Sequence, residues 1–183
     1  MLSFQSELER SELDISKKLK TDVSQLLIDQ GFTLSVLECV PEFSILDVFV
    51  SLPSSEKFLI SGLYCSHKSS YLQLLGISSG DLSKNLNHPK KMFQLLFKQF
   101  QRRIKSSVYC MYQMNNVIAD DESKKELILG FSVVGHPVLR TIQIQKKIEE
   151  VKENVSFVTL TYLRQYLLLY KNNEMPITYS ISN

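Results

Sequence analysis

From Leu13 onward, apolar residues return every three or four positions: Leu13, Ile15, Leu19, Val23, Leu26 and Leu27. That spacing predicts a helix over 11–30, with Ser11 and Asp14 as a capping box and Gly31 in the left-handed position past its end. From Phe32 the period drops to two. Phe32, Leu34, Val36 and Val40 alternate with polar residues, then Leu46, Val48, Val50 and Leu52, then Leu59, Leu63 and Cys65. Pro41-Glu42 and Pro53-Ser-Ser punctuate the runs, so strands are predicted over 32–40, 43–52 and 57–65, with YLQLLGI at 71–77 a candidate fourth. SSGD at 78–81 interrupts the pattern, and a helix is predicted over 88–106 with Pro89 in its first turn.

Strands follow over 107–114 and 126–134, joined by the polar loop NNVIADDESKK and closed by a turn at Gly135-His136-Pro137. Val138 to Gln145 fits an extended or a helical pattern equally. Ile144, Ile148, Val151 and Val155, and then Leu160, Leu163, Leu167 and Tyr170, recur at helical spacing. The order is α-β-β-β-(β)-α-β-β-α-α. It predicts a single α+β domain over 1–175 with a loose tail at 176–183, the sheet a mainly antiparallel twisted meander with helices on one face and at its ends. Parallel winding is not expected, because the first strands stand too close together for crossover helices. This element order resembles that of the small secretion chaperones, which dimerise and wrap an extended client. The resemblance implies client binding, although the basic middle of this chain departs from their acidic habit.

Composition adds limits. With 183 residues, 44% hydrophobic and 22% charged, the chain has enough apolar material for a core without cross-links. No run approaches the length of a membrane span, and the start carries neither the basic nor the apolar part of a secretory signal. Three widely spaced cysteines, Cys39, Cys65 and Cys110, read as buried reduced thiols. An intracellular protein, cytoplasmic or nuclear, is therefore expected, and the sequon Asn154-Val155-Ser156 carries no weight. The net charge is only +2, but its distribution is uneven. Residues 1–56 hold ten acids against four bases, 57–119 one acid against nine bases, and 120–183 eight of each.

One stretch fits a catalytic pattern. Gly76-Ile77-Ser78-Ser79-Gly80 matches G-x-S-x-G and resembles the nucleophile elbow of α/β-hydrolases, which implies Ser78 as nucleophile with Asp120 or Asp121 and His136 downstream. Against it stand the meander-like strands upstream and the absence of a glycine-rich oxyanion loop. Cys65-Ser66-His67, with Cys39 and Cys110, offers metal ligands without the paired knuckles of a zinc site. No phosphate loop, dinucleotide fingerprint or H-E-x-x-H is present. The expectation is a protein that is not an enzyme and that needs neither cofactor nor metal.

The feature that stands out is KKMFQLLFKQFQRRIKS at 90–106. On a helical wheel at about 100° per residue, Phe93, Leu96, Phe97, Phe100 and Ile104 form an apolar stripe, with Lys91, Lys98, Arg102 and Lys105 on another side. No carboxylate occurs from Leu82 through Ala119 to neutralise them. Lys91, Lys98, Arg102, Arg103 and Lys105 are accordingly the candidate partner-binding or phosphate-binding residues. They fit an interaction module, adaptor or complex subunit, including one that self-associates, or alternatively a protein gripping the phosphates of RNA or DNA. Tyr109 and Tyr112 are the candidates for base stacking, and an anionic membrane ranks lower. Two further surfaces are candidate contacts: the acidic first helix with Glu7, Glu9, Glu12 and Asp14, and the tyrosines Tyr162, Tyr166 and Tyr170 near the end.

Overall fold

The computed structural model describes residues 2–39, 44–65, 67–118, 121–144 and 148–175. Helix α1 spans Leu2–Asp29, β1 Leu34–Cys39, α2 Leu46–Val50, β2 Leu59–Tyr64, α3 Lys68–Leu75, α4 Ser79–Asn85 and α5 Pro89–Arg103. Then come β3 Val108–Ile118, β4 Asp121–Val133, β5 His136–Ile144 and α6 Ile148–Lys171. The five strands form one mixed sheet in the order β2-β1-β3-β4-β5. β1 pairs in parallel with both β2 and β3, and β3, β4 and β5 pair antiparallel.

The α+β character holds, but the meander extends only over β3 to β5. The expected strand 43–52 is instead the single-turn helix α2, followed by a 3₁₀ turn at Ser55–Lys57. Its buried residues are Ile45, Phe49 and Leu52, spaced by four and three, whereas the alternating Leu46, Val48 and Val50 are half-buried or exposed. The candidate strand 71–77 is likewise helix α3, ended by Gly76 at φ +64°. These two corrections supply the missing crossovers. α2 carries the chain from β1 to β2, and α3 to α5 carry it back past β1 to β3, so both connections give parallel pairs. The polar loop expected at 115–125 is mostly the far end of the β3–β4 hairpin. The turn at Pro41-Glu42, residue Asp120 and the tail 176–183 lie outside the described residues.

Helices cover both faces of the sheet, not one. Leu34 and Val36 of β1, Val108, Cys110 and Tyr112 of β3, and Leu127, Leu129, Phe131 and Val133 of β4 face α1, α2 and α6. Leu37, Cys39, Tyr109, Met111 and Ile128 alternate with them and face α3, α4 and α5. With helices on both sides, every residue of β1 is buried, including Ser35 and Glu38, although the sequence pattern there alternates.

Helix α1 begins well before Ser11 and ends as expected. The Gly31 amide bonds the Ile28 carbonyl at 3.0 Å and the Phe32 amide that of Leu27 at 2.9 Å. The β4–β5 turn is tighter than expected. Val134 (φ +47°) and Gly135 (φ +85°) occupy its two corners, and His136 already begins β5. Tyr166 is buried, while Tyr162 and Tyr170 pack half-buried on the α1/α6 core. Arg140 of β5 lies over the rings of Tyr162 and Tyr166, at 5.8 and 5.9 Å from their centroids. The C-terminal tyrosines therefore form the lid of this core.

Candidate functional site

Helix α5 is placed by its apolar stripe. Met92, Phe93, Leu96, Phe97 and Phe100 are buried against Met111, Ile128 and Leu37 of the sheet. Phe93 presses so closely on β4 that a Cβ on Gly130 would stand 2.6 Å from its ring. With that side fixed inward, the basic residues can only point outward. Lys91, Lys98 and Arg102 are all exposed, and they fall within about 40° of one another around the helix axis. None of the three makes an ion pair among the described residues.

The other two candidates are placed differently. The guanidinium of Arg103 lies directly over Gly76, where any Cβ would collide with Nη2, so Arg103 braces the α3–α4 junction against α5. Lys105 lies beyond the helix end, exposed, in the link to β3. The structure thus brings three of the five into one ridge. In the same layer it adds something that periodicity did not reveal. α3 and α4 pack against α5 in the same layer, and Leu72 (37%), Leu74 (46%) and Leu86 (41%) are exposed there. With 71–77 read as a strand, Leu72 and Leu74 could not be placed in the helical layer of the cations.

The stacking candidates are withdrawn by geometry. Tyr109 is buried, its hydroxyl donating to the Ile104 carbonyl at 2.7 Å and accepting the Ser106 amide at 2.8 Å. Tyr112 is fully buried on the opposite face of the sheet. Ser78 follows helix α3, not a strand. Its Oγ accepts the Asp81 amide at 3.0 Å and donates to Asp81 Oδ2 at 2.7 Å, as the N-cap of α4. The strand–turn–helix of a nucleophile elbow is therefore not formed at this serine. His136 starts β5 with its ring beside Tyr170 at 6.4 Å. Burial pushes the thiols of Cys39, Cys65 and Cys110 up, keeping them protonated and poorly nucleophilic. No group of three or more metal-ligating side chains occurs among the described residues.

Sequence reasoning also passed over Glu38, a carboxyl buried near the end of β1. One oxygen, Oε2, accepts the amides of Ile45 and Leu46 at 3.1 and 2.9 Å and the Ser44 hydroxyl at 3.1 Å, tying the start of α2 to β1. The other, Oε1, is buried with no hydrogen-bond partner among the described residues. Desolvation raises this carboxyl, against the three bonds it accepts and with a smaller push from Asp47. The signal was a lone acid inside the apolar run LSVLEC.

A mixed sheet with a central parallel strand, sandwiched between two helical layers, defines the class of fold. It is shared with solved structures described as competence-damage proteins. A competence or damage-inducible protein from Enterobacter asburiae superposes with a TM-score of 0.70 at 14% identity, covering 83% of this chain and 98% of that one. A competence-damaged protein (CinA) superfamily protein from Enterobacter cloacae gives 0.68 at 14%, covering 83% and 92%. The competence/damage inducible protein CihA from Agrobacterium tumefaciens gives 0.62 at 11%, covering 86% and 94%. At such identities the likeness is one of fold. None of these names speaks of an adaptor or of nucleic acid. No protein-family model matches the chain, and no curated protein matches it. Among the described residues, no helix is long and apolar enough to cross a membrane.

Proposed function

We propose that the chain is a non-enzymatic protein-binding module, an adaptor or subunit of an intracellular complex, whose partner docks on the α3–α5 layer. The observation that carries this reading is the ridge Lys91, Lys98 and Arg102, exposed and without an ion pair among the described residues, in a helical layer that also exposes Leu72, Leu74 and Leu86. Cations around an apolar contact suit an acidic protein surface, because apolar anchors supply affinity while charges set orientation and encounter rate. A nucleic acid would engage the ridge through phosphates alone, since Tyr109 and Tyr112 are buried. The occupied Ser78 cap and the buried, protonated thiols support a role without catalysis. The free thiols suit a reducing compartment.

The test compares tagged wild type with Lys98→Glu/Arg102→Glu and with Leu72→Ser/Leu74→Ser. Captured proteins are quantified by mass spectrometry with and without nuclease, after circular dichroism has shown that all three chains fold. The same captured proteins should be lost with both variants and be indifferent to nuclease. An anchor leucine should account for roughly 1–2 kcal/mol, a 5- to 30-fold loss of affinity. Capture that disappears with nuclease, together with steeply salt-dependent binding of a labelled oligonucleotide, would replace this reading with the nucleic-acid one. Equal capture by all three chains would remove the site.

A further inference from the structure

β1 ends at Cys39, and the first residue past β2 is Cys65. The parallel register sets Leu37 against Leu63 and Glu38 against Tyr64. One step further it sets Cys39 against Cys65, and the Cys65 amide continues the ladder by donating to the Glu38 carbonyl at 2.8 Å. Paired strands lie about 4.8 Å apart, inside the roughly 4.4–6.8 Å range of Cα separations that a disulfide spans. Both side chains belong to the core beneath α3 and α5, so they leave the sheet on the same face. Cys110 belongs to the opposite face. All three thiols are free and buried.

We propose that Cys39 and Cys65 form an oxidisable dithiol that closes into a disulfide between β1 and β2. In the closing step each thiol gives up its hydrogen and a sulfur–sulfur bond forms. The two electrons and two protons pass to a hydroperoxide, whose O–O bond breaks; with hydrogen peroxide the products are the disulfide and two waters. Directly opposed Cβ atoms in a flat parallel pair stand slightly too far apart for this bond, so the backbone must give by a fraction of an ångström. The position allows it, because Cys39 is the last residue of its strand and Cys65 stands beyond the end of the other. Burial keeps both thiols protonated, so the pair reacts slowly and answers a small, sustained oxidant more readily than a bulky alkylating reagent. Closure would lock the end of β1 that carries Glu38, and with it the anchor of α2.

The full reduced chain is treated with hydrogen peroxide, unfolded in N-ethylmaleimide and digested with trypsin without reductant. Lys20, Lys57, Lys68, Lys105 and Lys124 put the three cysteines on separate peptides. The expected product joins 21–57 to 58–68 at the summed mass less two hydrogens. It should appear with peroxide, vanish with dithiothreitol and form equally in Cys110→Ser, while Cys110 itself is recovered alkylated. The oxidised wild type should also melt at a higher temperature than the reduced one, a rise that Cys65→Ser lacks. Cross-links to Cys110, or oxidation of Cys39 and Cys65 only to separate sulfur acids, would overturn the proposal. So would complete recovery of both as alkylated thiols.

Discussion

Replacing Glu38 tests how α2 is held. The Ile45 amide is fully buried, and a buried donor left bare costs roughly 1–3 kcal/mol. Losing the cap on the Leu46 amide adds about 1 kcal/mol. Glu38→Ala should therefore lose about 2–4 kcal/mol at pH 7. Glu38→Gln keeps an acceptor oxygen at the same reach, and should stay within about 1 kcal/mol of wild type. The two differ further in pH dependence. Desolvation places the folded carboxyl above its ordinary value of 4.5, so the folded chain binds this proton more tightly than the unfolded chain does. The stability that Glu38 contributes is then full below the unfolded value and declines as pH rises through the folded one. Wild type should gain on Glu38→Gln as pH falls from 7 towards 4.5. Urea unfolding of the three chains at several pH values measures this, with the denaturant slope as a check that the unfolded state is unchanged. If Glu38→Gln loses as much as Glu38→Ala, or wild type gains on it as pH rises, the negative charge holds α2 and the reasoning fails.

Val134 is a β-branched residue at φ +47° in a two-residue hairpin turn, a place suited to asparagine. Val134→Asn should stabilise the chain by about 1 kcal/mol, raising Tm by roughly 2–4 °C in a thermal melt. Gly130→Ala drives a methyl into the Phe93 ring and should cost about 1–3 kcal/mol. Phe93→Leu on that background should lose less than the two single changes added together, as a double-mutant cycle by urea unfolding would show.

Long periodic elements were legible and short ones were not. α1 and α5 carry several turns of repeat, enough to show a period of 3.6, and the ridge of Lys91, Lys98 and Arg102 follows from that phase. α2 has five residues, and within so short a stretch Leu46, Val48 and Val50 mimic a strand. Misreading that one turn changed the topology, because without α2 there is no crossover and β1 and β2 must run antiparallel. Two consequences stayed hidden behind the same error. Glu38 caps α2, so its role could not be seen while α2 was taken for a strand. Cys39 meets Cys65 only in a parallel register. Leu72 and Leu74 join the α5 layer only once 71–75 is helical, which a strand over 71–77 conceals.

The strand order carries a consequence for how the chain acquires its structure. β3, β4 and β5 follow one another through short turns, so their pairings close small loops and can form early. β1, buried throughout, makes no hairpin: it reaches β2 only through the α2 crossover, Leu34 meeting Leu59 in parallel. Its partner across the central seam lies far downstream, Thr33 meeting Ser107 across 74 positions. During synthesis from the amino end, the strand LSVLEC can meet β2 on one edge, but its other edge stays open until Val108–Gln113 has emerged. In that interval it is the segment of this protein with most need of shelter from aggregation.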